Sequence, residues 1–284
     1  MGDERDRLAT RRRTLLSAAG SLTGTALMGT TTVTGSESRE GRRRCPDATI
    51  RPSMNHCEGA SIDGCADDDP ETIELRARAK ETLDERYATV GDLIDGGFRP
   101  YFDLKRRGSS NGWSHWLSPE YIGDDILLDP DRPESVLVDN ETWRPIGIMF
   151  IATENGEPVD PPPPVYRRGR SENAEDRRCS PWHYHRGFPG RFAWKYYRQV
   201  YESDGRDGDI SLPCRTPCMM HVWTVPHPAG VYAHDAPPPE KRGDLSATEP
   251  GFETEVDPSE ATLGWGTLPD DVIPDWTPED LAGW

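Results

Sequence analysis

The sequence predicts a mainly β domain of the α+β kind. The expected body is a compact antiparallel β-sandwich or barrel-like unit with one long N-terminal helix and extended, Pro-rich loops. Three observations predict it. Val136-Leu137-Val138 and the run Ile146 to Ile151 flank the polar turn Asp139-Asn140-Glu141, the pattern of an antiparallel hairpin. Trp182 to His185 and Met219 to Val225 alternate in character with the two-residue period of strands. One capped segment, beginning at Asp69, carries apolar residues at helical spacing instead.

That helix starts at "DDDPETIEL". Asp69 can cap it, Pro70 suits the first helical position and Glu71 favours the positive helix end. Leu83, Tyr87, Val90 and Ile94 fall on one face, and Gly96-Gly97 end it, so one helix is expected through Ile94. Ser118 and Pro119 open a short helical turn after the loop at 106–117. Four consecutive prolines at 161–164 predict a stiff extended connector, and "RRGRSENAEDRR" at 167–178 a mobile charged loop. "RFAWKYYRQVY" fits helix or strand equally well. Beyond Pro237 the chain is acidic and Pro-rich, yet Phe252, Trp265, Trp276 and Trp284 give parts of it something to bury. The expected organisation is a targeting segment at 1–38, a Cys-rich lead-in at 39–69, one β-rich domain at 70–237 and a tail at 238–284.

The 284 residues carry a net charge of −17, with hydrophobic residues at only 34%. Nine Trp, nine Tyr and six Phe supply burial energy that a disordered chain would lack. Residues 1–44 hold nine Arg against five acids, which leaves −21 for the remainder. Lysine occurs four times, at 80, 105, 195 and 241. Abundant carboxylates hold water and cations in concentrated salt, and long ammonium stems are avoided there, so the composition reads as salt-adapted. A basic footprint for nucleic acid is absent.

Residues 10–35 place Arg11-Arg12-Arg13 before a weakly apolar run rich in Ala, Gly, Ser and Thr. Arg12-Arg13-Thr14-Leu15-Leu16 resembles a twin-arginine export signal, which implies the twin-arginine export machinery as a partner and an extracellular or cell-surface location. The run is too polar for a stable membrane span. Outside the cell the six cysteines, Cys45, Cys57, Cys65, Cys179, Cys214 and Cys218, are disulfide candidates. Their clustering suggests pairing within 45/57/65 and within 179/214/218, with one bridge joining the groups. Cys214 and Cys218 alternatively read as half a zinc site.

The chemistry-bearing residues are histidines. His183 and His185 flank Tyr184, so a strand sets both imidazoles on one face with Cα atoms roughly 6.5–7 Å apart. His221 on another strand can supply a third nitrogen, and His115, between Trp113 and Trp116, a fourth. Neutral imidazoles on neighbouring strands suit a divalent transition metal, Cu or Zn above others. His234 and Asp235 are read as further ligand or orienting groups. His227 lies between two prolines and His56 in the Cys-rich lead-in, and both carry less weight. A cupin-type His-x-His site would need a Glu four or five residues on, where Arg186-Gly187-Phe188-Pro189-Gly190 stands instead. No G-x-S-x-G nucleophile or phosphate-binding loop occurs.

The segments "ETLDERYATVGDLIDGGFRP", "GWSHWLSPEYIGDDILLDPDRPESVLVDN", "WRPIGIMFIA" and "MMHVWTVPHPAGVYAHDAP" resemble, in the same order, runs of a group of secreted bacterial and archaeal proteins. That group carries G-x-H, W-H-Y-H and H-V-W segments. The resemblance covers about residues 75–237 and marks the chain as similar to a haloarchaeal, twin-arginine-exported member. It implies a compact, mostly β domain with a His-lined site, and sets His115, His183, His185 and His221 on the group's histidines. It implies no particular activity. Whether the protein is an enzyme is left open. The sequence supports an exported metal-binding protein, or alternatively a non-catalytic secreted ligand-binding module in which Trp113, Trp116, Trp182 and Tyr184 stack on a ligand.

Self-repulsion of the acidic body weakens as salt screens it. The denaturation midpoint is therefore expected to rise between about 0.1 M and about 1 M KCl, where the Debye length falls from about 10 Å to about 3 Å. A midpoint independent of salt in a thermal melt would contradict the salt-adapted reading.

Overall fold

The computed structural model describes residues 45–102, 112–167, 178–202, 210–243, 246–278 and 280. The export-like segment and most of the charged loop at 167–178 lie outside the described residues.

Eleven strands and four α-helices are defined among them. Seven strands form one antiparallel sheet in the order β1 (Met54–His56), β10 (His183–His185), β11 (Met219–Trp223), β5 (Arg144–Ile151), β4 (Ser135–Asp139), β3 (Trp113–Leu117) and β2 (Arg99–Tyr101). Two ribbons complete the strands: β6 (Thr153–Glu154) with β7 (Glu157–Pro158), and β8 (Tyr166–Arg167) with β9 (Arg178–Cys179). The expectation of a sandwich or barrel is corrected here. The sheet is open, with β1 and β2 as its edges, and helices rather than a second large sheet cover its faces.

The predicted hairpin is β4–β5, whose register pairs Val136 with Ile148 and Leu137 with Gly147. Side-chain alternation then sorts the residues between two faces. Val136, Val138, Ile148, Phe150, Met220, Val222 and Trp182 bury on one face beneath α1 (Pro70–Arg86), with Leu83 and Ala79. Leu137, Met149, Ile151, Met219 and Trp223 bury on the other beneath α4 (Phe188–Tyr201), with Trp194, Tyr196 and Tyr197. The ambiguous aromatic run is thus a helix. Arg191, Trp194 and Tyr197 bury at a three-residue spacing, which a strand cannot offer to one face.

Asp69 caps α1 through Glu71 N–H, with Pro70 at its start. The helix does not run to Ile94. It ends at Arg86, and α2 (Val90–Asp95) begins after Thr89, whose hydroxyl accepts from Asp92 N–H while Asp92 accepts in return from Thr89 N–H. This capping box opens a new helix, yet Tyr87 and Val90 stay buried on the same cluster, which is why the apolar spacing continued in phase across the break. The short α3 (Pro119–Ile122) is capped by Ser118. The acidic segment after Pro237 joins the core: Phe252, Leu263, Trp265, Leu268 and Val272 pack with the α1-side cluster, and Ala261 O accepts from the Trp143 indole at 2.7 Å.

All six cysteines are bridged: Cys45–Cys214, Cys57–Cys218 and Cys65–Cys179. The expected pairing within sequence clusters is corrected, and so is the zinc half-site. Each bridge joins the lead-in to the 179–218 region, because β1 lies in the sheet next to β10. The bridges tie the short edge strand to the two strands that carry His183, His185 and His221.

Cys57–Cys218 closes a loop of 161 residues. The double substitution Cys57→Ala/Cys218→Ala is expected to lower unfolding stability by about 2–5 kcal/mol, measured by urea denaturation of the otherwise oxidised protein.

Candidate metal centre

Five imidazoles gather at one end of the α4-side face. His183 and His185 follow the strand period, with Trp182 and Tyr184 turned to the opposite face. His183 pairs with Met219, so the β10 imidazoles and His221 of β11 emerge on the same side. His115 arrives from β3, with two strands lying between it and β11. In a flat sheet that separation is about 14 Å, yet the His115 and His221 rings lie 6.2 Å apart and the Trp113 and Trp223 rings 5.6 Å apart. The side chains therefore lean toward one another across the intervening strands. Gly147 assists: a Cβ there would come within 3.0 Å of the Trp223 indole, so only glycine lets Trp223 lie across β5.

His234 reaches the cluster from the segment after β11. That segment is fixed by Trp223, whose indole N–H donates to Ala233 O at 2.8 Å and whose backbone N–H donates to Val231 O at 3.0 Å. His227 stacks on Trp223 and closes the loop: its Nδ1 accepts from Ala229 N–H, so its Nε2 carries the proton and donates to Asp235 O at 3.0 Å. Both nitrogens of His227 are thereby used, and it is no ligand. His234 Nδ1 lies 3.1 Å from Asp235 Oδ1, which leaves its Nε2 for another partner.

His183, His185 and His234 each bring one ligand nitrogen within 4.8 Å of the others. Their ring centroids are 5.5, 4.8 and 5.2 Å apart. Three imidazoles bound tetrahedrally, with nitrogen–metal distances of about 2.0–2.1 Å, would set their centroids about 5 Å apart. The donor set thus fits a transition metal. The ring of His183 also hydrogen-bonds the Pro181 backbone, while its Nε2 is buried with no hydrogen-bond partner among the described residues. A buried lone pair without a partner is costly, and an ion resolves it. His185 is placed by two contacts. Its backbone N–H donates to Thr216 Oγ1 at 2.9 Å, and Gly190 in the first turn of α4 lies so close that a Cβ would sit 2.4 Å from His185 Cβ.

His221 flanks the triad, 5.4 Å from His183 and 5.9 Å from His234 between centroids, and its buried Nδ1 also has no partner. His115 lies beyond it against Trp113, 4.6 Å away. His56, given little weight from sequence, stands opposite His183 in the β1–β10 ladder and is exposed. Only the long-range β1 pairing reveals this, and no local signal could have. Trp116 and Trp182 are fully buried, and Trp223 with them, so the expected open stacking surface of Trp113, Trp116, Trp182 and Tyr184 does not form.

Burial, reinforced by neighbouring imidazoles, depresses the basicity of four rings. It lowers His115 and His185 to about 4, and holds His183 and His221 well below the ordinary histidine value. All four are neutral at pH 7, the state in which imidazole binds metals.

The fold and site together define a disulfide-stapled, open antiparallel sheet with a cluster of imidazoles on one face. Comparison with family models, curated proteins and solved structures found no match to this chain.

The depressed values set the pH response. Well above pH 6.5 both the folded and the unfolded imidazoles are neutral. Below 6.5 the unfolded chain takes up protons that the folded one refuses, so stability present above 6.5 is lost as pH falls toward 4. Urea midpoints of the metal-free protein are expected to be flat from pH 8 to about 7 and to drop below about 6.5. The drop should be shallower in His115→Gln.

Proposed function

We propose that this chain is an exported, salt-adapted metalloprotein. In this reading His183, His185 and His234 hold one divalent transition ion, Cu or Zn, and Asp235 orients His234 through Nδ1. The carrying observation is the convergence of three ligand nitrogens within 4.8 Å, one of them the buried and otherwise unpartnered Nε2 of His183. Three protein ligands leave a tetrahedral ion one open position, the arrangement of sites that act on an exogenous molecule. A bound ion there would supply Lewis acidity or, if copper, one-electron chemistry. The chain's own residues do the positioning: the Pro181 backbone and Thr216 orient β10, and the His227 clip presents His234.

Export by the twin-arginine route is the reading of residues 10–35. Three disulfides are compatible with an oxidising environment, and no helix among the described residues is long and apolar enough to cross a membrane. The resemblance to secreted proteins with G-x-H, W-H-Y-H and H-V-W segments points the same way.

Elemental analysis of the folded protein after equilibration with Zn or Cu and gel filtration is expected to give one ion per chain. The double variant His183→Ala/His185→Ala should retain less than about a tenth of that while keeping its circular dichroism, because loss of two of three ligands removes the chelate. Substoichiometric metal in the wild type, unchanged in the variant, would overturn the assignment.

A further inference from the structure

We propose that His115 and His221 are not further ligands of the ion but the receiving side of its open position, and that the site takes a small monoanion there. The inference rests on the proposed triad and names what the centre binds.

The ring separations distinguish the roles. A fourth protein ligand would stand about 5 Å from each triad ring. Among the described residues, His221 approaches His183 and His234 but makes no ring contact with His185, and the ring contacts of His115 are with Trp113 and His221. Both therefore lie on one flank of the triad rather than around it. Each imidazole carries at least one N–H. The His221 Nδ1 is buried without a partner among the described residues, and the half-buried His115 ring stands 6.2 Å from the His221 ring. The buried Nδ1 of His221 needs a guest that reaches it.

Charge decides what the guest is. The three ligands are neutral, and the one carboxylate touching them among the described residues, Asp235, is 95% exposed and shared with water. A divalent ion held by three neutral imidazoles has no ligand charge to offset its own, so an anion is favoured as the fourth ligand. His115 and His221 then donate to its far end. Trp113 and Trp223, 5.6 Å apart, pack beside the two imidazoles. Formate, bicarbonate and azide have the right charge.

Azide is the probe. In the Cu(II)-loaded wild type, azide is expected to produce a ligand-to-metal charge-transfer band that saturates. In His115→Ala/His221→Ala, metal content should stay at one per chain while the azide dissociation constant rises about tenfold or more, the effect of losing hydrogen bonds to a charged group. His221→Gln, which keeps an N–H donor, should restore part of the affinity. Azide affinity unchanged in the alanine variant would overturn the inference, and loss of the ion in that variant would make the pair ligands instead. Should the alanine variant fail to fold, electron spin-echo modulation of the wild type decides. Three coordinated imidazoles are expected, and four or five overturn the inference. Absence of any bound metal in the wild type would instead remove the triad reading itself.

Discussion

Side chains on neighbouring strands leave the same face only where their registers agree, and here the pairing of His183 with Met219 sets that agreement between β10 and β11. From it follow the common direction of His183, His185 and His221 and the burial of Trp182, Tyr184, Met220 and Val222 on the other face. A one-residue slip would exchange the two sets, sending imidazoles into the α1-side core and indoles into the nest. The register is held by the longer β11–β5 and β5–β4 ladders, whose apolar residues are almost wholly buried. The chemistry-bearing strand is thus short and depends for its placement on strands that carry no chemistry.

The site sits near the β1 edge, where the sheet has the least pairing to offer. Three-residue strands alone hold a register poorly, and the structure compensates covalently. Cys57 follows His56, Cys218 precedes Met219, and Cys179 lies just ahead of Trp182. Two of the three bridges therefore end within a few residues of an imidazole-bearing position. Gly190 and Thr216 add short-range constraints on His185, and the Trp223 indole fixes the approach of His234. Rigid support of this kind matters because an ion tolerates little error in the placement of its donors.

What could be read from sequence was what depends on local period and capping. The β4–β5 hairpin, the start of α1, the cap of α3 and the face shared by His183 and His185 all follow from residues within a few positions of one another. The break at Thr89 was also local, written as Thr89 and Asp92 three apart, but masked by apolar spacing that stayed in phase across it. The single open sheet and the bridge partners were beyond reach, since both follow from β1 pairing with a strand more than a hundred residues later. His234 was read as subsidiary because its position depends on a loop whose anchors, the Trp223 indole and the stacked His227, become visible only in three dimensions.

The bridge pattern also bears on how the molecule comes into being. None of Cys45, Cys57 and Cys65 has a partner before residue 179, and two of them wait until beyond residue 213. As the chain emerges from its N-terminus, three thiols and one sheet edge stay unmatched while well over a hundred residues are added. The thiol count is then a record of completion. A chain stopped short of the second imidazole-bearing strand keeps unpaired cysteines in its leading segment, and a finished one has none. The last cysteine and the last two imidazoles of the nest, His221 and His234, thus arrive together in one short late stretch of the chain.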